Sequence, residues 1–351
     1  MPKRVLLTGH GGFVGSHCLE YFLEKTDWEI ICIDSFRHKG TVRRVVETVA
    51  NNPRVKTYVH DLTVPIDPQL ENLLFERWLD NGIIREKPIH YIINMASESA
   101  VERSVTDPIS CMNNNWHLGV NMLEFARKSK GLELFVQIST DEVYGEAPKD
   151  SAHKEWSPIV PSNPYAASKA AQEAIAISYF RSFNLPIVIT NCMNLIGERQ
   201  DVEKFLPKIV KMVAMDQEMP IYGDSISNIG TRIYLHCKCL ADALIFISKR
   251  KPTCYLDAIK QGQANIRPDR YNICGDQEIN NLELAQMVAK IMGKPLKYRL
   301  IPSESARPGY DRRYALDGSK LRNLGWTAPM NLEESLEKIV AWTLANPHWL
   351  V

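Results

Sequence analysis

The chain has 351 residues, 45% of them hydrophobic and 24% charged, which suits about two domains with adequate cores. Lys plus Arg total 42 against 41 for Asp plus Glu, so a formal net charge of +1 supplies no field to recruit nucleic acid or an anionic membrane, and neither partner is expected. Eight scattered cysteines match neither a zinc pattern nor a disulfide scaffold; they read as reduced thiols of a cytoplasmic protein without a metal site, the run Val5-Leu6-Leu7 is too short for a signal peptide, and no window approaches a transmembrane span.

Val5-Leu6-Leu7-Thr8 reads as a short buried strand, followed at once by Gly9-His10-Gly11-Gly12-Phe13-Val14-Gly15. Val14, Cys18, Leu19, Phe22 and Leu23 then recur at helical spacing, so the order is strand, glycine turn, helix. That is the context of a dinucleotide fingerprint. Glycines at 9, 12 and 15 permit a tight turn and a close approach of backbone to pyrophosphate, and a helix N-terminus adds N–H donors and a favourable dipole. A second strand, 29–33, ends in Asp34. A carboxylate there accepts hydrogen bonds from ribose hydroxyls and repels a 2′-phosphate, which favours NAD over NADP; an ordinary solvated aspartate is the alternative, and Arg37, Lys39, Arg43 and Arg44 follow it.

Residues 55–59 and 91–95 are further strands, with Leu70, Leu73, Leu74 and Trp78 as a helical stripe between them. Asp61, at the end of the first, suits an adenine amino group or a helix cap. Small Ala96 and Ser97, at the end of the second, would let a cofactor lie close. A helix over about 108–128 precedes an apolar strand, 132–138, whose end releases Ser139-Thr140-Asp141-Glu142-Val143-Tyr144-Gly145. A hydroxyl and two adjacent carboxylates at a strand end suit proton chemistry, or else a turn in which they satisfy backbone groups. Strands alternating with helices predict an α/β fold, a Rossmann-type doubly wound parallel sheet. Asn163-Pro164-Tyr165-Ala166-Ala167-Ser168-Lys169 opens another helix, with Tyr165 and Lys169 on one face. An ammonium near a phenol favours the phenolate, although such pairs are also ordinary neighbours on helix surfaces.

Together, the glycine pattern, Asp34, Thr140 and Tyr165-x-x-x-Lys169 resemble the extended short-chain dehydrogenase/reductase family. Within it, Ser139 to Gly145 and the later Arg307-Pro308-Gly309-Tyr310-Asp311-Arg312-Arg313-Tyr314-Ala315-Leu316-Asp317 are similar to the nucleotide-sugar 4,6-dehydratases, typified by dTDP-glucose 4,6-dehydratase. His10-Gly11, Ala100, Leu118-Gly119, the longer loop 226–230 and Cys239 depart from that pattern.

The resemblance implies NAD as cofactor, held by Gly9, Gly12, Phe13, Val14, Gly15, Asp34, Asp61, Leu62, Ala96, Ser97, Tyr165 and Lys169. It implies that Tyr165 takes the 4-OH proton of a nucleoside-diphosphate hexose, dTDP- or UDP-glucose, while hydride leaves C4. Lys169 holds the tyrosine and ribose, and Thr140 bonds the same oxygen. Glu142 is the base at C5, Asp141 the acid at the C6 hydroxyl, and hydride returns to C6. Asn194, Lys204, Arg232 and Arg307 are implied at the sugar diphosphate or ribose and Tyr222 along the base. The expected division is a NAD-binding domain over 1–194 plus about 233–273, and a smaller, interleaved nucleotide-sugar domain over about 195–232 plus 274–351. A homodimer through helices near 110–128 and 163–182 is a further family expectation. A 4-epimerase or C4 oxidase needs Thr140, Tyr165 and Lys169 but neither Asp141 nor Glu142, and a non-catalytic NAD-binding regulator needs only the fold.

Overall fold

Seven apolar runs form one sheet: β1 (Arg4–Thr8), β2 (Glu29–Asp34), β3 (Val55–Val59), β4 (Tyr91–Asn94), β5 (Leu134–Thr140), β6 (Ile187–Cys192) and β7 (Asp269–Ile273). The computed structural model describes residues 2–49, 51–302 and 308–351. The spatial order is β7-β6-β5-β4-β1-β2-β3. The β1–β2, β2–β3, β1–β4 and β4–β5 pairings are parallel, with Leu7 opposite Cys32 on one side and Ile93 on the other. Strand order thus reverses between β1 and β4, the place where doubly wound sheets open a crevice beyond their strand ends. β1, β4, β5 and β6 are buried along their whole length, as a parallel sheet covered on both faces requires, whereas edge strand β3 is partly exposed.

The chain divides into two compact units, one of Met1–Ser139, Pro164–Thr190 and Leu244–Tyr271, the other of Thr140–Asn163, Asn191–Ala243 and Asn272–Val351. Residues 140–163, 191–194, 233–243 and 272–273, expected on the cofactor side, cluster with the second unit. In the first, Leu6, Ile33, Ile92, Phe135, Met122 and Phe180 belong to one buried cluster. In the second, a three-stranded sheet (Glu278–Asn280, Thr231–His236, Asn194–Ile196) and a parallel pair (Met219–Tyr222, Tyr298–Ile301) accompany the helices Phe205–Ala214, Asn281–Ile291 and Leu332–Ala345. The last two helices begin in capping boxes, Asn280 with Glu283 and Asn331 with Glu334.

One expected element differs. The stripe through Leu70 and Leu74 stops at Phe75, because Glu76 is left-handed at the helix end; Trp78 instead starts a small antiparallel hairpin and is 48% exposed. The helix Cys237–Ser248 follows the strand Thr231–His236 directly. The segment 254–269 carries a short helix, Tyr255–Lys260, whose Tyr255 packs edge-on against Phe180.

Within the first unit, the helix Pro164–Phe183 is tied to β7 by a buried ion pair: Arg270 Nη2 donates to Glu173 Oε2 at 2.6 Å, and both side chains are at most 1% exposed. Removing one partner leaves an uncompensated charge in a low-dielectric interior, whereas removing both does not. Glu173→Met is therefore expected to lose about 3–5 kcal/mol of stability and Glu173→Met with Arg270→Met to recover most of it, measured by urea unfolding.

Candidate active site

At the end of β1, Gly9 sits at φ +77°, and a Cβ there would lie 2.9 Å from the Ala96 Cα. A side chain on Gly15 would collide with the Gly9 carbonyl, so the helix can pack this closely only with glycine in place. Gly9 N donates to Ile33 O and Gly12 N to Gly9 O, closing the turn. The helix Phe13–Lys25 follows with Gly12 as a bare N-cap and no acidic residue in its first turn. The N–H groups of Phe13, Val14 and Gly15 stand where a helix has no acceptor of its own, in a cradle that a Cβ would fill. These residues fit a dinucleotide diphosphate.

Asp34 is bound into this turn: Gly11 N donates to its Oδ2 at 2.9 Å and Phe36 N to its Oδ1 at 2.8 Å. A carboxylate has about four acceptor positions, which leaves capacity for two ribose hydroxyls. His10 is fully buried, edge-on to Phe36, and burial holds its imidazole below the ordinary range against the opposing field of Asp34. Asp61 accepts from Thr63 N and Oγ1 in a turn, and Arg37 Nη1 lies 2.7 Å from its Oδ2; the helix that follows, Pro68–Phe75, is capped by Asp67 instead. Leu62 is buried and its carbonyl accepts from Asn121. Ala96 N donates to Thr8 Oγ1, and half-buried Ser97 donates to Glu98 O.

Tyr165 and Lys169 both lie in the first turns of the helix Pro164–Phe183. Tyr165 N donates to Ser104 Oγ, its carbonyl accepts from Ser168 Oγ, and its side chain is half-buried. Lys169 is 3% exposed, and its Nζ donates to Gln172 Oε1 at 2.7 Å.

In the second unit, Thr140, Asp141 and Glu142 stand at the end of β5 and open a 3-10 turn, Asp141–Tyr144. Thr140 serves the turn by satisfying a backbone group. Thr140 Oγ1 caps Glu142 N at 3.3 Å and also donates to Asp141 Oδ1 at 3.0 Å. Burial, then the nearby Glu142 charge, pushes the Asp141 carboxyl up from 3.8 to about 7, with Thr140 and Arg232 opposing. Asp141 Oδ2 is buried with no hydrogen-bond partner among the described residues. Glu142 is half-buried, and its Oε2 accepts from Asn163 Nδ2 at 2.9 Å. Two adjacent carboxyls thus sit in unlike surroundings, one able to hold a proton near neutrality, which suits paired acid and base work.

Among the residues implied for the nucleotide sugar, Asn194 opens the strand Asn194–Ile196, and its Nδ2 is buried with no partner among the described residues. Lys204 precedes the helix Phe205–Ala214 and is half-buried. Arg232 is 7% exposed: Nη1 donates to Thr231 O and Arg312 O, Nη2 to Asp311 O, and its guanidinium lies 4.4 Å from the Tyr314 ring centre. Tyr222 is 39% exposed, 6.2 Å between ring centres from Tyr310. Arg307 lies outside the described residues.

Several contributors carried no sequence signal of their own. Asn163 bonds Glu142 from 21 residues away, and Asn191 Nδ2 holds the Thr140 carbonyl at 2.9 Å. The Tyr314 hydroxyl is a buried group without a partner among the described residues, its pKa raised by burial and then by the fields of Glu142, Asp311 and Asp141. Tyr314 could have been noted as one of two aromatics in the 307–317 stretch, but not its surroundings.

A 3-2-1-4-5-6-7 parallel sheet with a glycine turn on β1 and Tyr165-x-x-x-Lys169 on a following helix defines the extended short-chain dehydrogenase/reductase class. The chain belongs to the GDP-mannose 4,6 dehydratase family, whose model matches residues 6–339. A dTDP-glucose 4,6-dehydratase of Haemophilus influenzae is 31% identical, the match covering 97% of this chain and 98% of that one. A trifunctional UDP-glucose 4,6-dehydratase/UDP-4-keto-6-deoxy-D-glucose 3,5-epimerase/UDP-4-keto-L-rhamnose-reductase of Arabidopsis thaliana is 29% identical over 99% of this chain. The chain spans about half of that protein's length, 48%. The crystal structure of a dTDP-glucose 4,6-dehydratase from Bacillus anthracis in complex with NAD superposes with a TM-score of 0.81 at 27% identity, covering 99% of this chain and 98% of that one.

An aspartate whose folded pKa lies above its unfolded value favours the protonated fold, so ionisation opposes folding: the penalty is absent below about pH 4, grows with pH and is complete above about 7. Asp141→Asn removes it. The variant is expected to exceed the wild type in stability by about 2–4 kcal/mol more at pH 8 than at pH 4, read from urea unfolding at the two pH values.

Proposed function

We propose that this protein is an NAD-dependent nucleoside-diphosphate-hexose 4,6-dehydratase, a hydro-lyase acting on dTDP- or UDP-glucose. The observation that carries the reading is the Asp141–Glu142 pair, with one carboxyl raised to about 7, in a chain of this family. An epimerase or C4 oxidase has no use for such a pair.

The first unit would hold NAD through Gly9, Gly12, Phe13, Val14, Gly15, Asp34, Asp61, Leu62, Ala96 and Ser97, with Lys169 at the ribose. When bound, NAD accepts a hydride from C4 of the sugar and gives it back at C6. Tyr165 takes the 4-OH proton, its phenolate favoured by the Lys169 ammonium, and the Thr140 hydroxyl bonds the same oxygen. The resulting 4-keto group acidifies the C5 hydrogen. Glu142, held by Asn163, removes that proton while Asp141 protonates the C6 hydroxyl, so the C6–O bond breaks and water leaves. With hydride back at C6, Glu142 returns its proton to C5, the proton gained by Tyr165 offsets the one lost by Asp141, and the product is the nucleoside-diphosphate 4-keto-6-deoxyhexose.

The second unit would hold the nucleotide sugar. Asn194 offers its buried amide to the diphosphate; Lys204, Arg232 and Arg307 add positive charge, and Tyr222 lies along the base. A homodimer through the helix Pro108–Lys128 accords with exposed Ile109, Met112 and Trp116 on it. Eight cysteines without disulfides accord with a cytoplasmic setting, and no helix among the described residues is long and apolar enough to cross a membrane.

Incubation with dTDP-, UDP-, GDP- and CDP-hexoses should give an 18-dalton mass loss (about one water) with at least one of them. An unchanged-mass C4 isomer would support an epimerase instead, and an inert protein a regulator. Glu142→Gln is expected to develop nicotinamide absorbance with substrate yet release no water, and normal turnover in that variant would remove Glu142 from its role.

A further inference from the structure

We propose that Gln172 is a positioning residue that presents a polarised carbonyl oxygen to the Lys169 ammonium, and that its orientation is set by a chain of buried side chains reaching back to β1. The inference rests on the proposed role of Lys169.

Lys169 is nearly sealed from solvent, where an ammonium needs acceptors in place of water. Gln172 Oε1 is one, at 2.7 Å, and it also accepts from Gln137 Nε2 at 3.1 Å. Gln137 Oε1 accepts from Asn94 Nδ2 at 3.0 Å, and Asn94 Oδ1 accepts from Thr8 Oγ1 at 3.0 Å. Thr8 Oγ1 in turn accepts from Met95 N and Ala96 N, at the floor of the glycine turn. Thr8, Asn94, Gln137 and Gln172 are at most 1% exposed.

Every amide in this series has its sense dictated by its neighbours, so donors point one way along it and the terminal oxygen faces Lys169. The Gln137 bond fixes where that oxygen lies, and donation from the amide's own nitrogen is what makes the oxygen a stronger acceptor than an isolated amide. The other end of the Gln172 amide is held as well: Nε2 donates to the Asn115 carbonyl at 2.7 Å. Access to that carbonyl depends on Gly119, one turn further along the helix Pro108–Lys128. A Cβ on Gly119 would lie 3.1 Å from Gln172 Cγ. A glycine inside a helix is less favourable than alanine, and here it makes room for Gln172.

The test is a double-mutant cycle on the full chain, read by NADH fluorescence on binding. Gln172→Met is expected to weaken NADH about tenfold, the order of one lost charge-assisted hydrogen bond. Gln172→Glu, which keeps an oxygen for Lys169, is expected to stay within about threefold of wild type. In a Lys169→Met background Gln172→Met should add nothing, because the acceptor has no ammonium left to hold. Additive losses, or unchanged binding by Gln172→Met, overturn the proposal. Gln137→Met supplies a second cycle should Gln172→Met fail to fold: a weaker loss that vanishes in the Lys169→Met background supports the relay, and any other result rejects it. With substrate, Gln172→Met should slow the appearance of nicotinamide absorbance about tenfold while KM stays within about twofold. A wild type that binds NADH but dehydrates no nucleotide sugar would refute the proposed function and leave the binding cycle to decide on Gln172.

Discussion

The close approach of the Gly9 backbone to Ala96 governs the rest of the first unit. With a Cβ excluded at Gly9 and at Gly15, the chain leaves β1, turns, and starts a helix within a few residues. Register then does the remaining work. Thr8 pairs with Ile33, so Asp34, one residue beyond, reaches the Gly11 amide; on the other side Leu7 pairs with Ile93, which brings Met95 and Ala96 to the Thr8 hydroxyl. A bulkier turn would move each of these strand ends out of register with the others.

Buried polar groups are paired with one another in some places and left open in others. In the first unit, Thr8, Asn94, Gln137 and Gln172 satisfy one another, and Glu173 meets Arg270. Fully connected networks of this kind stiffen their surroundings. In the second, Asp141 Oδ2, Asp311 Oδ2, the Tyr314 hydroxyl and Asn194 Nδ2 are buried without partners among the described residues. Each such group costs about 1–3 kcal/mol. Stability is the quantity given up until water or a ligand supplies the missing bonds.

Much of this was readable along the chain. Apolar runs bounded by Gly, Asp and Ser mark β1, β2, β4 and β5, and the glycine spacing marks the turn. Periodicity misled at Trp78, since a helical stripe continues past the point where Glu76 adopts the left-handed conformation, and the pattern records no backbone dihedral. Polar residues inside buried strands were mute for a different reason. Asn94 and Gln137 have no periodic signature, and their partners lie 86, 43 and 35 residues away along the relay.

By itself, then, the sequence determined the class of fold, the order of strand, turn and helix, and the placing of Thr140, Asp141 and Glu142 at a strand end, because these depend on neighbouring residues and their spacing. Tertiary structure alone decided that Asp141 holds its proton to about pH 7, that Arg232 is bonded to the carbonyls of Asp311 and Arg312, and that Lys169 meets Gln172 at the end of a relay from β1. Burial and the field of distant charges set those properties, and neither exists until segments far apart in the chain are packed together.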